Sequence, residues 1–348
     1  MKLIRTFHPV GHGAFYTERF YDDATNVANV VYDCGTQTKG CNLPLIINNE
    51  FAPTDTIDAI FISHFHDDHV KGIVDLCRRC RVHKIIVPLL PDDYKVWTIL
   101  YNAIKYGANS IANQIILSNV IGNNFFPDTE IVPIDDEYSL PIIFSHHNQP
   151  LWEYRAYRLP NYSPTFSTRY HLLISALQGD PLFKTTFVNG NIDYSILYNM
   201  LSSNPNILIL KSIISSTHIK LDDNSFNMIV SSQRTYYHGV YLPSYLGCLY
   251  TGDAELKSVK RFKTLQSKFN LDRWSYHVIQ VPHHGAYLKN HNKSLYDQGQ
   301  ISIVSARKND NKHPNINVIK DILGKQCFPK IVTEDLRTYF QLTYPNVL

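Results

Sequence analysis

Six consecutive positions carry five potential metal ligands, His64, His66, Asp67, Asp68 and His69, within Ser63-His64-Phe65-His66-Asp67-Asp68-His69-Val70-Lys71-Gly72. Neutral imidazole and carboxylate are the donors that borderline divalent cations such as zinc accept. In extended chain, side chains two apart point the same way, so His64 and His66 can share one cation. Asp68 and His69 follow where the chain should turn, and can face a second cation beside the first. A solvated histidine-rich loop is the plain alternative. It does not need a repeated ligand spacing, and the metal reading is favoured.

The elements around this cluster are legible in the same pattern. The apolar run Ile57–Ile62 predicts a buried strand that ends at the ligands, and 72–81 reads as the helix after them. Upstream, strands are expected at Lys2–Phe7, Phe15–Phe20 and Val27–Tyr32, the last closing on Asp33-Cys34-Gly35. Acidic residues and glycine at a strand end commonly mark the functional rim of an α/β sheet. Downstream, Lys84–Pro88 reads as a strand and Tyr94–Tyr106 as a helix. Residues 107–220 are less regular, with helical patterns near Asn109–Leu117 and Asp193–Leu201, and short strands expected near Ile142–Ser145 and Ile207–Lys211. They are read as an insertion within a single domain spanning 1–348. Regularity returns with strands at Asn227–Ser232, Tyr245–Tyr250, Tyr276–Val281 and Ile301–Ser305, and helices at Glu255–Phe269 and Asn315–Leu323. Strands alternating with helices in both halves predict an α/β sandwich. Three strands end in Asp or His, at Asp33, at Asp253 and at His283-His284.

Composition supports a folded core: of 348 residues, 44% are hydrophobic and 18% charged. The net charge of +3 is far from the strongly basic balance that would by itself announce a nucleic-acid binder. No run of eighteen apolar residues suggests a membrane span, and the first residues lack a signal-peptide pattern. The expected location is the cytoplasm. Six cysteines without framework spacing agree, and Cys77-Arg78-Arg79-Cys80, a lone Cys-x-x-Cys, is read as structural or incidental.

His64-x-His66-x-Asp68-His69, Thr251-Gly252-Asp253 and Pro282-His283-His284-Gly285 together resemble the metal-binding series of the metallo-β-lactamase fold. The likeness is closest to the hydrolase domain of the ComEC-type DNA-uptake channel proteins and their soluble relatives. Val10-Gly11-His12-Gly13 is similar to that subgroup's opening turn, Tyr32-Asp33-Cys34-Gly35 to its acidic first motif, and Asp223-Asn224-Ser225 to the lead into its middle strand. Ser305 to His313-Pro314 and Val332-Thr333-Glu334-Asp335 are similar to its closing segments. Departures are a single glycine in Val70-Lys71-Gly72, and Ala286 where the subgroup has serine. The resemblance covers roughly residues 1–90 and 222–348. It implies a four-layer αββα sandwich of the metallo-β-lactamase type with a middle insertion.

It also implies two divalent cations, with zinc favoured and manganese compatible. His64, His66 and His284 are assigned to the first, Asp68 and His69 to the second, and Asp253 as the bridge. Neighbours in extended chain point oppositely, so His283 and His284 are not expected to bind the same cation. His284 is preferred because in the resembled motif the ligand is followed by a glycine and a small residue, which leaves His283 behind the ligands or facing substrate. Asp33 is either a turn-capping carboxylate or, as the likeness suggests, a residue that orients a ligand histidine. No role is given to Asp67, nor to His146, His147, His171, His218 and His238. A water between two cations loses a proton near neutral pH and becomes the nucleophile, with Asp68 placed to orient it and His313 the expected proton donor to the leaving group.

The resemblance favours a phosphodiesterase or nuclease acting on nucleic acid or a nucleotide. A carboxylic ester, lactone or thioester hydrolase on the same scaffold and a metal-stabilised binding module are the alternatives. Lys257, Lys260, Arg261, Lys263 and Lys268 read either as a phosphate track or as a solvated helix face. The aromatics of 152–170 read either as base-stacking platforms or as buried packing.

Overall fold

The structure is a computed structural model and describes residues 1–121, 125–143, 150–159, 165–219, 221, 226–235, 246–271, 276–345 and 347. Two seven-stranded sheets face each other. The first runs, in spatial order, Phe340–Tyr344, Lys2–Phe7, Gly13–Asp22, Thr25–Thr36, Ala59–Phe61, Lys84–Pro88 and Glu130–Ile134. The second runs Phe328–Val332, Gly299–Ser305, Tyr276–Gln280, Cys248–Tyr250, Asn227–Arg234, Pro150–Leu159 and Glu137–Ile143. Each sheet is antiparallel at one side and parallel at the other.

Three apolar clusters account for four layers. Phe7, Tyr16, Tyr32, Phe61, Trp152, Tyr154 and Tyr250 fill the space between the sheets. Leu76, Trp97, Leu100, Ile115 and Leu210 seat helices on the outer face of the first sheet. Phe262, Leu265, Val318 and Ile322 seat helices Val259–Phe269 and Ile316–Gly324 on the outer face of the second. Burying each such side chain contributes roughly 1.5–3 kcal/mol. The expected αββα order is the order found.

A charged pair crosses the inter-sheet core. Arg5 Nε donates to Glu18 Oε1 at 2.6 Å, and Glu18 also accepts from the hydroxyls of Tyr154, Ser232 and Tyr250. Both charges are fully buried. The Glu18 carboxylate is satisfied by four donors, while Arg5 Nη2 makes no hydrogen bond to the described residues.

Several local expectations need correction. Ile207–Lys211 is not a strand but part of helix Asn204–Ser216; Pro205 opens it, and Ile207, Leu210 and Ile214 form its buried face at helical spacing. The expected Ile57–Ile62 strand is split: Thr56–Ile57 pairs with Arg81–Val82, and Ala59–Phe61 enters the first sheet. Asp58 breaks the run, its Oδ2 accepting the Asn29 amide at 2.8 Å. Of the stretch 107–220, Glu130–Ile134 adds a strand to the first sheet, and Glu137–Ile143 and Pro150–Leu159 add two to the second. Helices Phe166–Gly179, Tyr194–Leu201 and Asn204–Ser216 form the rest of its described core, packing beside Asp92–Tyr106 and Ile111–Ile121. Trp152, Tyr154, Tyr157 and Phe166 are buried, which favours packing over base stacking for these four. Tyr162 and Asp223-Asn224-Ser225 lie outside the described residues.

Candidate metal centre

Strand register brings the chemistry to one rim. Tyr32 pairs in parallel with Phe61, so Asp33 and Ser63, one and two residues further on, come together at the strand ends. Asp33 Oδ1 accepts the Ser63 amide and Oδ2 accepts its hydroxyl, both at 2.7 Å. In the second sheet Leu249 pairs in parallel with Ile279 and Gln280 with Ile303. The turns at 251–253, 282–285 and 305–313 therefore open at the same end. Asn227 starts its antiparallel strand there, and its Oδ1 accepts the Asp253 amide at 3.2 Å. The Met228 amide donates to the Ser63 carbonyl at 2.7 Å and ties the two rims together.

His66 lies on extended backbone, and the chain turns from it into one helical turn, Asp67–Val70, that carries Asp68 and His69. The turn can lie this close only because of Gly35. A Cβ there would stand 2.5 Å from the Asp67 carbonyl oxygen and 2.6 Å from the His69 nitrogen. Gly252 has φ +53 and faces Ser63, whose Cβ lies 2.5 Å from the position its own Cβ would take.

Asp253 is the meeting point. Its Oδ2 lies 3.7 Å from His64 Nε2 and 3.7 Å from His283 Nε2, and its Oδ1 lies 3.4 Å from His69 Nε2. The donor atoms of His64, His66 and Asp253 fall within 4.8 Å of one another, as do those of His69, Asp253 and His284, and those of His12, Asp68 and His284. His284 thus stands with Asp68, at 3.3 Å, and with His69 rather than with His64 and His66. The extended-chain premise used to separate His283 from His284 does not hold, because both residues are left-handed, at φ 48 and φ 55. What separates them is burial and anchoring. His284 is buried, with Nδ1 2.9 Å from the Ser305 carbonyl oxygen. The His283 side chain is 39% exposed, with Nδ1 3.1 Å from Asn290 Oδ1.

Behind the rim, Asp33 Oδ2 lies 2.7 Å from His69 Nδ1. Asp33 is fully buried at φ 53, within the strand rather than capping a turn. Asp67 is half-buried beside Lys71 and Lys105; burial raises its pKa and those ammonium groups oppose the rise. His313 stands 3.7 Å by Nδ1 from Asp310 Oδ2, its ring 6.5 Å from that of His284.

The electrostatics suit cations. Burial alone would raise the Asp253 pKa, but His283, His69 and His64 hold it well below the ordinary value. Asp68 is lowered in the same way, against burial, by His284, His69 and His66. Burial alone would lower His69, but Asp33 and Asp253 hold it well above the usual range. Two buried atoms aimed into the centre, His69 Nε2 and Asp253 Oδ1, make no hydrogen bond to the described residues. Buried polar atoms are seldom left so. A donor set of imidazoles and carboxylates with unsatisfied lone pairs fits divalent cations.

Some participants gave little signal in the sequence. His12 carries no signal beyond the opening turn, yet its ring lies 3.9 Å from that of His284, tilted by 37°, and its Nε2 lies 3.9 Å from Asp68 Oδ2. Gln37 donates to Asp68 Oδ1 at 2.9 Å. Gln280 accepts the Thr251 and Gly252 amides on one oxygen and so shapes the approach to Asp253. A buried amide inside the apolar run Tyr276–Val281 was the available clue. His171 and His218 are exposed and belong to no ligand group among the described residues; His146, His147 and His238 lie outside those residues. Cys77 and Cys80 are unbridged, with burial pushing their thiols up to about 12 and about 11. In the basic segment, Lys268 pairs with Asp136 and Glu137, and Arg261 with Glu255. Lys257, Lys260 and Lys263 are exposed, the last two on a helix whose Phe262, Leu265 and Phe269 face the core.

Residues 25–151 match the family model of the metallo-beta-lactamase superfamily, and the two-sheet architecture is the metallo-β-lactamase fold. Over 72 residues the chain is 31% identical to the anti-Pycsar protein Apyc1 of Bacillus phage BSP38, a match covering 19% of this chain and 26% of that protein. The chain thus spans about a quarter of the length of this curated relative. Among solved structures, a CmlA beta-hydroxylase mutant aligns with 98% of this chain and 54% of its own, at TM-score 0.44 and 10% identity. A long-form RNase Z from yeast aligns with 95% of this chain and 37% of its own, at TM-score 0.34 and 11% identity. The metallo-β-lactamase MIM-1 of Novosphingobium pentaromativorans aligns with 92% and 80%, at TM-score 0.34 and 11% identity.

Proposed function

From a chain that carries a metallo-β-lactamase superfamily domain over residues 25–151, we propose a hydrolase that holds two divalent cations and cleaves phosphodiester bonds in nucleic acid or a nucleotide. The observation that supports it most is the pair of ligand groups with Asp253 in common, His64–His66–Asp253 and His69–Asp253–His284, with Asp68 beside His284. In this reading His64 and His66 would hold one cation and Asp68, His69 and His284 the other, with Asp253 available to both. Zinc suits the donors, and manganese is compatible with them. Cations bound there supply Lewis acidity toward a phosphate oxygen and make water acidic near neutral pH.

The chain's own groups orient this chemistry. Asp33 and Ser63 fix the Nδ1 side of His69, and the Ser305 carbonyl fixes that of His284, so both Nε2 atoms face the cleft. Asp68, steadied by Gln37, is the proposed orienter of the attacking water. His313 is the proposed side-chain donor of the leaving-group proton, and His283, half-exposed at the mouth, is proposed to face substrate. The cytoplasm is the proposed location, and six unbridged cysteines are compatible with it. No helix among the described residues is long and apolar enough to cross a membrane.

The test is turnover by protein loaded with zinc or manganese, on bis-p-nitrophenyl phosphate and on a simple lactone. Hydrolysis of the phosphodiester, abolished in Asp253→Asn, is expected. Turnover of the lactone alone would move the protein to the ester-hydrolase class.

A further inference from the structure

We propose that His12, Asp310 and His313 form a third divalent-cation site at the edge of the pair, with the His12 ring standing between it and Asp68. The three donors come from separate segments, the turn after Lys2–Phe7 and the loop after Gly299–Ser305, and converge within 4.8 Å. His12 Nδ1 is buried, makes no hydrogen bond to the described residues, and faces Asp310 Oδ2 at 3.9 Å. The same Oδ2 faces His313 Nδ1 at 3.7 Å. Both separations exceed a hydrogen bond, and with all three donors within 4.8 Å an ion can sit among them.

The carboxylate is set for this by its other oxygen. Asp310 Oδ1 accepts the backbone amides of Lys312 at 2.7 Å and His313 at 3.1 Å, which leaves Oδ2 turned to the imidazoles. His12 is equally fixed, its amide donating to Thr38 Oγ1 at 2.7 Å and its carbonyl accepting from the Gln37 amide at 2.8 Å. Its two ring nitrogens face two carboxylates, Nε2 toward Asp68 and Nδ1 toward Asp310. Two imidazoles and one carboxylate, with room for further ligands, form a donor set that zinc and related cations accept. His313 would hold the cation through Nδ1, the atom facing Asp310, which leaves its other ring nitrogen for the proposed proton transfer.

The experiment is a count of bound metal by mass spectrometry on the full chain, equilibrated with zinc and then freed of excess. Wild type should hold about three equivalents against about two in Asp310→Ala, with His313→Ala giving the same loss of about one. Circular dichroism melts check that the variants are folded. An equal count in wild type and both variants overturns the site, as does loss of every cation in a folded Asp310→Ala protein. The count does not depend on turnover, so failure of the phosphodiester reading and failure of the third site are told apart.

Discussion

Asp33 Oδ2 and His69 Nδ1 stand 2.7 Å apart in the fully buried seam where the first sheet meets the ligand turn. The carboxylate fixes which nitrogen of His69 faces the cleft and raises the basicity of that nitrogen. Asp33→Asn keeps an oxygen for the Ser63 amide but removes the charge. It should weaken cation binding roughly 10- to 100-fold, read by competition with a chromogenic chelator. A purely structural Asp33 would lower the melting temperature and leave that affinity unchanged.

His283 and His284 are adjacent yet differently placed, one half-exposed and bonded to Asn290, the other buried against the Ser305 carbonyl and Asp68. His284→Ala should remove about one cation equivalent and abolish turnover, as expected for loss of a ligand. His283→Ala should keep the metal count and raise KM more than it lowers kcat. The reverse pattern would make His283 the ligand.

The ligand series was readable because each member sits at a strand end beside residues with strong patterns of their own. His64, His66, Asp68 and His69 follow an apolar run, Asp253 follows Thr251-Gly252, and His284 precedes Gly285. Their grouping was not readable, since it depends on strand register and on the left-handed turn at His283 and His284, which no spacing rule predicts. His12 was missed because a single histidine between glycines carries no period; only the close approach of two rims gives it partners. Ile207–Lys211 misled because a short run of Ile and Leu satisfies both strand and buried-helix patterns. Its burial against neighbouring helices decided between them. The strand Pro150–Leu159 was missed because the alternation Trp152-Glu153-Tyr154-Arg155 is short and breaks at Ala156-Tyr157, where Ala156 joins the core between the sheets and Tyr157 the cluster on the outer face.

The core can be tested independently of the rim. Glu18 accepts from Arg5, Tyr154, Ser232 and Tyr250 between the sheets. Glu18→Leu leaves the Arg5 guanidinium buried without its counter-charge and should cost about 3–5 kcal/mol in urea unfolding. The double replacement Arg5→Met with Glu18→Leu should recover much of that loss, because no uncompensated charge remains. A single-variant cost below about 1 kcal/mol would show that water reaches the pair.

Acid sensitivity should come in part from His8. Its ring stacks on Phe15 at 4.2 Å, its Nε2 lies 3.1 Å from Thr17 Oγ1, and burial pushes its pKa down to about 3 from an ordinary 6.5. Between those values the unfolded chain binds a proton that the folded chain refuses. Stability therefore falls as pH drops through that window, by about 1.4 kcal/mol per pH unit. From pH 7 to pH 5 this one residue should cost about 2 kcal/mol. Glu50, 3.7 Å away, has a pKa raised by burial, so its contribution runs in the opposite direction and is present in wild type and variant alike. His8→Gln should flatten the loss between pH 7 and pH 5, measured by urea unfolding of metal-free protein so that protonation of the ligand histidines does not enter through lost cations. Parallel pH dependence in wild type and His8→Gln would mean that the ring accepts its proton in the folded state and is not sealed from water.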